Sequence, residues 1–176
     1  MVYLFLGDGF EEAEAICPAD ILIRCGVDVK TVSVMSDNTV VGAHGIKIIA
    51  DLNVNDVKDN AEMYIMPGGM GGVDNLSKSV KLREILKNTT SDIAAICADP
   101  TLLADIGLLE NKKAICYPSM TNELRGANVV FERVVSDGRF VTSMGPGTSF
   151  EFGFELARRL KGDEIAAKVK EAMLVK

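Results

Sequence analysis

Ile93-Ala94-Ala95-Ile96-Cys97-Ala98-Asp99-Pro100 is the stretch on which the reading of this chain turns. Residues 93–96 make an apolar run of the length and type of a buried strand. Cys97 ends it, and Pro100 suits the first turn of a helix that follows almost at once. A strand that turns directly into a helix thrusts its last side chain out at the carboxyl edge of a sheet. Open α/β sheets hold their ligands at that edge. Two readings of Cys97 stand side by side on these residues. It is the nucleophile of an elbow, its thiol pKa lowered by the N–H groups and dipole of the helix, or it is a buried strand-end cysteine.

Outward from this stretch, apolar runs and helical spacings alternate. Strands are expected at Val2–Leu6, 27–34, within 40–50, at Met63–Met66, 93–96, 114–117, 129–135 and Phe140–Ser143. Helices are expected at 11–25, 75–87, 100–109, 150–160 and 162–174. Gly26 stops the first helix, Pro18 should kink it, and Thr148 or Ser149 should cap the one after Gly145-Pro146-Gly147. Strands alternating with helices through short glycine-rich loops predict an α/β fold with a mostly parallel sheet covered on both faces.

The chain has 176 residues, 48% hydrophobic and 25% charged, a globular composition. Its length suits one domain, and residues 1–176 read as one unit without repeat, linker or low-complexity tract. Lys and Arg total 19 against 25 Asp and Glu, so the net charge is −6. That argues against a nucleic-acid footprint, which needs clustered basic residues. No run approaches the ~18 apolar residues of a membrane span. Met1–Leu6 lacks the basic segment and cleavage site of a signal peptide, so a cytoplasmic location with reduced thiols is expected. Cys17, Cys25, Cys97 and Cys116 form no CxxC pair, and His44 is the single histidine. The spacing of a structural zinc site is therefore missing, and no metal is expected.

Two glycine-rich segments stand out. Pro67-Gly68-Gly69-Met70-Gly71-Gly72 follows a strand and presents backbone N–H groups that could hold a developing oxyanion. It also reads as a plain strand-to-helix turn, and it lacks the Gly-Lys-Ser/Thr ending of a phosphate loop. Gly7-Asp8-Gly9-Phe10-Glu11-Glu12-Ala13-Glu14 opens like a dinucleotide fingerprint. Glu12 stands where the third glycine belongs, and three glutamates would repel a pyrophosphate, so no nucleotide cofactor is expected. Glu14 shares a helical face with Cys17, Pro18 and Ile21. An acid on that face is partly buried and its pKa raised, or else it simply complements the helix dipole. His44, after Gly42-Ala43, reads as a surface or packing residue.

Together these segments resemble the DJ-1/ThiJ/PfpI superfamily, specifically its DJ-1 branch. The landmarks are Glu11-Glu12-Ala13-Glu14, Pro67-Gly68-Gly69, Ala94-Ala95-Ile96-Cys97-Ala98 with Pro100, and Gly145-Pro146-Gly147-Thr148-Ser149-Phe150-Glu151-Phe152. Each is modest alone, but their common order and spacing are specific. The resemblance implies a flavodoxin-like three-layer α/β/α sandwich, a homodimer, and a reactive Cys97 on a strained nucleophile elbow. It implies that Glu14 hydrogen-bonds the sulfur and that the N–H groups of Gly69 and Ala98 line an oxyanion site. The activities it implies need no cofactor: a glyoxalase or deglycase acting on small reactive carbonyls, or oxidation sensing through a Cys97 sulfinate with chaperone-like protection. Cys17 and Cys116 read as core thiols first and resolving thiols second.

The sequence departs from the family pattern in three places. Tyr117 stands where some members carry a histidine, which removes a nearby imidazole. Asp99 replaces a small residue, to raise the thiol pKa or to cap the helix. Met144 and His44 fall near family arginines, which leaves Arg24 as the candidate anion contact; His44 and Tyr117 are further candidate substrate contacts. The protease branch places a histidine directly after its cysteine, where this chain has Ala98. Glutamine amidotransferases need a histidine downstream, and none follows residue 44. Both activities are set aside.

Overall fold

The computed structural model describes residues 1–58 and 61–175. The strands are Val2–Leu6 (β1), Val29–Ser33 (β2), Thr39–Val41 (β3), Lys47–Ile49 (β4), Leu52–Asn53 (β5), Met63–Met66 (β6), Asp92–Ile96 (β7), Lys113–Ala114 (β8), Asn128–Val129 (β9), Val134–Asp137 (β10) and Phe140–Ser143 (β11). The helices are Glu12–Arg24 (α1), Met70–Lys78 (α2), Val80–Asn88 (α3), Pro100–Asp105 (α4), Ser149–Lys161 (α5) and Asp163–Ala172 (α6). A seven-stranded sheet runs in the order β10-β11-β7-β6-β1-β2-β5. Its pairings are parallel except β10 with β11. β3 and β4 form a separate antiparallel hairpin.

Alternation along fully buried strands feeds two cores, one on each face of the sheet. Tyr3, Phe5, Tyr64, Met66 and Ile93 meet Leu76, Leu82, Leu86 and Leu103 on one face. Val2, Leu4, Ile65, Ala94 and Ile96 meet Ile21, Leu22, Phe152 and Leu156 on the other. A mostly parallel sheet between two helical layers is the expected flavodoxin-like α/β sandwich. The chain turns outward in both directions from β1, and β1, β6, β7 and β11 end along one edge. Ligand crevices of open sheets form at such a switch point.

Several local expectations give way to tertiary contacts. The helix expected over 75–87 is two helices broken at Ser79, whose Oγ accepts the Leu82 N–H at 3.3 Å and caps α3. The helix expected over 100–109 ends at Asp105, before Gly107 at φ 78°. The strand at 114–117 shrinks to Lys113–Ala114, because the Tyr117 N–H is claimed by the Cys97 carbonyl at 2.7 Å. The strand at 129–135 divides into β9 and β10. Thr148 sits at the start of α5 but does not cap it; its hydroxyl exchanges hydrogen bonds with the Gly145 backbone instead. Ser149 likewise donates to the Pro146 carbonyl.

Pro18 does not interrupt α1. It marks where α1 crosses α5, and the crossing depends on Gly153. A Cβ added at Gly153 would stand 3.0 Å from Pro18 Cα and 2.6 Å from Ile21 Cδ1. Overfilling a close-packed contact costs about 1–3 kcal/mol. Gly153→Val should therefore lower the unfolding free energy by that amount in urea titration. An unchanged midpoint would refute the tight crossing.

Candidate active site

Cys97 takes its position from the backbone on both sides. Its N–H donates to the Ser143 carbonyl at 2.9 Å, extending the β7–β11 ladder by one residue. Its carbonyl then accepts the Tyr117 N–H. Between these bonds Cys97 sits at φ 64°, a left-handed conformation that a side chain adopts only under constraint. The chain reverses there into Ala98-Asp99 and α4, and the sulfur is left partly exposed at the sheet edge. The N–H groups of Gly69 and Ala98 hydrogen-bond it.

Glu14 reaches the same point from the first turn of α1 and is wholly buried. Its Oε2 accepts the Gly68 N–H at 2.7 Å, and its carboxyl hydrogen-bonds the Cys97 thiol. Its Oε1 is buried with no partner of ordinary hydrogen-bond geometry. Gly68 is required by this approach: a Cβ there would lie 2.6 Å from Cys97 Cβ and 2.7 Å from Glu14 Oε2. Gly69, at φ 87°, turns its own N–H toward the sulfur. The sequence pointed to Gly69 and passed over Gly68; the signal was the glycine pair itself, since two adjacent glycines permit two close approaches.

The electrostatics correct one expectation. Burial, opposed by hydrogen bonds from Cys97 and Gly68, pushes Glu14 up to about 7. Burial, and then repulsion from Glu14, push the Cys97 thiol up to about 12, against the pull of the Gly69 and Ala98 N–H groups. The anticipated lowering by the following helix does not prevail against burial and the Glu14 carboxyl. The two shifts share burial as their first cause, and the Glu14 carboxylate then adds to the rise of the thiol. Asp99 corrects another. It occupies the N-cap position of α4 without capping it, and its carboxyl is fully buried.

The remaining candidates divide. Tyr117 borders the pair: its ring edge lies 3.3 Å from where a Gly145 Cβ would stand, and Glu14 Oε1 lies 3.9 Å from that same point. His44 does not reach Cys97. Its Nδ1 lies 2.8 Å from Glu12 and 3.9 Å from Glu11, and Glu12 also accepts the backbone N–H groups of His44 and Ile46. Glu12 thus clasps the β3–β4 hairpin onto α1. The ligand atoms of Glu11, Glu12 and His44 lie within 4.8 Å of one another, a convergence that the sequence did not foretell. Arg24 is not brought to the site within this chain. It ends α1, ten residues and ~15 Å of helix rise beyond Glu14, and pairs with Asp20 at 2.9 Å. Cys17 and Cys25 have raised thiols from burial, and Cys116, also buried, is pushed up to about 12.

Comparison with known proteins meets this geometry from outside. The chain is 38% identical over 182 residues to "Protein DJ-1 homolog A" of Arabidopsis thaliana, covering 99% of this chain and 46% of that one. The chain therefore spans under half the length of that relative. It is 33% identical over 160 residues to "Glutathione-independent glyoxalase DJR-1.2" of Caenorhabditis elegans, covering 88% of this chain and 84% of the relative. The solved structure of DJ-1beta from Drosophila melanogaster superposes with a TM-score of 0.96 at 34% identity, over 99% of this chain and 97% of that one. A sequence model described as "DJ-1/PfpI family" matches residues 1–159. With the fold, the elbow and its neighbouring acid already in place, these matches decide the family: the chain belongs to the DJ-1/PfpI family.

Proposed function

We propose that this protein is a cofactor-free enzyme that converts small reactive dicarbonyls, or their adducts, through a cysteine nucleophile. One observation carries the reading: a wholly buried carboxyl, Glu14, hydrogen-bonded to a partly exposed sulfur, Cys97. The C. elegans relative's name supports it. The work is done by a homodimer, and in a reducing, cytoplasmic setting in keeping with the four free cysteines.

The chemistry follows from where one proton sits. Near neutral pH a large share of Glu14 is the neutral acid, since its carboxyl is pushed up to about 7. In that form it no longer repels a thiolate and donates to it. The sulfur has two backbone donors and partial access to solvent; Glu14 has one and none. As carboxylate, Glu14 takes the Cys97 thiol proton while the sulfur attacks the aldehyde carbon; the C–S bond forms, and the C=O electron pair moves to oxygen. The Gly69 and Ala98 N–H groups steady that oxygen. Glu14 gives the alkoxide its proton, and as carboxylate takes the proton from the hemithioacetal carbon. It returns that proton to the neighbouring carbonyl carbon while the hemithioacetal hydroxyl proton passes to the neighbouring oxygen, leaving the thioester of a 2-hydroxy acid. Water cleaves the thioester to a hydroxy acid and free Cys97. Tyr117 borders the approach.

A positioned acid–base group contributes ~100- to 10,000-fold to rate. Purified protein should make lactate from methylglyoxal. Cys97→Ser should abolish the activity, and Glu14→Gln should reduce it by roughly that same factor. Lactate formation by Cys97→Ser at the wild-type rate would remove the cysteine from the mechanism.

Labelling with iodoacetamide separates ionisation from proton transfer. As pH rises through about 7, Glu14 becomes a carboxylate and pushes the Cys97 thiol up. Glutamine cannot acquire that charge. The labelling rate of Glu14→Gln should therefore pull ahead of the wild type above neutrality. Superposed profiles from acid to alkaline pH would mean that Glu14 does not control the sulfur.

A second reading shares the site: Cys97 as a peroxide sensor. The thiolate attacks peroxide, the O–O bond breaks and a sulfenate and water form; a second peroxide yields the sulfinate. Its favouring observation is that Cys97, partly exposed like Cys17 while Cys25 and Cys116 are buried, alone receives the Gly69 and Ala98 N–H groups. After mild peroxide, intact mass and peptide mapping should place two added oxygens on Cys97 alone. Oxidation spread over all four cysteines would end this reading.

A further inference from the structure

Three buried side-chain oxygens among the described residues have no hydrogen-bond partner, and they belong to two carboxyls: Oε1 of Glu14 and both oxygens of Asp99. Buried polar groups are satisfied almost everywhere in folded proteins, so orphans gathered at one place need a reason. Asp99 is wholly buried, two residues beyond Cys97 and next to Ala98, whose N–H faces the sulfur. An ionised carboxyl there would give up water and receive no donor in return.

We propose that Asp99 is a further positioning residue of this site: a buried carboxylic acid that keeps its own proton and so limits the two carboxyls and the sulfur to a single negative charge. The inference rests on the reading of Glu14 and Cys97 as a proton-exchanging pair. Burial first, and then repulsion from Glu14, hold Asp99 well above the ordinary carboxylate range. The groups acting on Glu14 are Cys97 and Glu11, with Asp99 coupled to it in turn; none is a cation. Asp99 need not touch substrate. When Glu14 passes its proton to the alkoxide and becomes a carboxylate, a neutral Asp99 spares it a second anion. A small residue at position 99 would supply neither proton nor charge.

The test reads the proton directly, on the full chain without substrate. At neutral pH the infrared spectrum should contain, beside the Glu14 band, a second carbonyl stretch of a protonated carboxylic acid that is missing from Asp99→Asn. Glu14→Gln removes the repelling partner, and so should move the loss of that band to lower pH by about one unit or more. A band absent from the wild type at neutral pH, or one that titrates alike with and without Glu14, overturns the proposal. Stability gives a second reading. An acid whose folded pKa is raised loses stability for the fold as pH climbs above its unfolded value. Asp99→Asn should therefore melt above the wild type at neutral pH, with the gap closing on acidification. Equal melting at every pH overturns it as well. Neither measurement depends on turnover, so a wild-type rate in Cys97→Ser and a silent Asp99 are separate failures.

Discussion

A single carboxyl group, that of Glu14, is held out of water against a sulfur, and the local architecture is arranged around that constraint. A carboxyl with no solvent contact is tolerated only where donors or a proton replace the lost hydration. Here one backbone N–H, from Gly68, and the Cys97 thiol do so. The contact needs Gly68 to lack a side chain, Cys97 to sit at φ 64°, and α1 to start immediately after the first βα loop. Each condition is met by a different element. The sheet serves as the rigid frame that brings β1, β6, β7 and β11 to one edge.

The charge balance of this edge is set by carboxyls. Met144 and Tyr117 bring no positive charge to it, and His44 is turned toward Glu11 and Glu12. Carboxyls accumulate instead: Glu11, Glu12, Glu14 and Asp99. Burial favours the neutral forms of Glu14 and Asp99, and the chemistry depends on moving a proton rather than on holding an anion with a cation. Uncharged carbonyl compounds suit that environment better than carboxylated ones.

Glu12 carries a structural duty beside the chemistry. Its carboxylate accepts N–H groups from His44 and Ile46, and His44 donates from its ring as well. These bonds keep the Glu12 carboxyl below its ordinary range and raise His44. Glu12 and Glu14, two residues apart on one helix, are thus shifted in opposite senses, because one is supplied with donors by the hairpin and the other is buried with one donor and a thiol.

Much of this was legible in the residues. The period of two in the strands, their punctuation by glycine and the apolar run closing on Cys97 fixed a parallel α/β sheet, and the four family landmarks located Cys97, Glu14, Gly69 and Ala98. These signals are local, and local geometry follows from neighbouring residues. Where elements ended was decided by partners distant in sequence: Tyr117 left its strand for the Cys97 carbonyl, and Thr148 left its helix for Gly145. The charge state of the site lay outside the sequence altogether. Whether Asp99 caps a helix or stays buried, whether Arg24 reaches an anion, and which way a thiol is pushed depend on burial and on the distance between groups. Those quantities come into being only when β1, β6 and β7 are laid side by side.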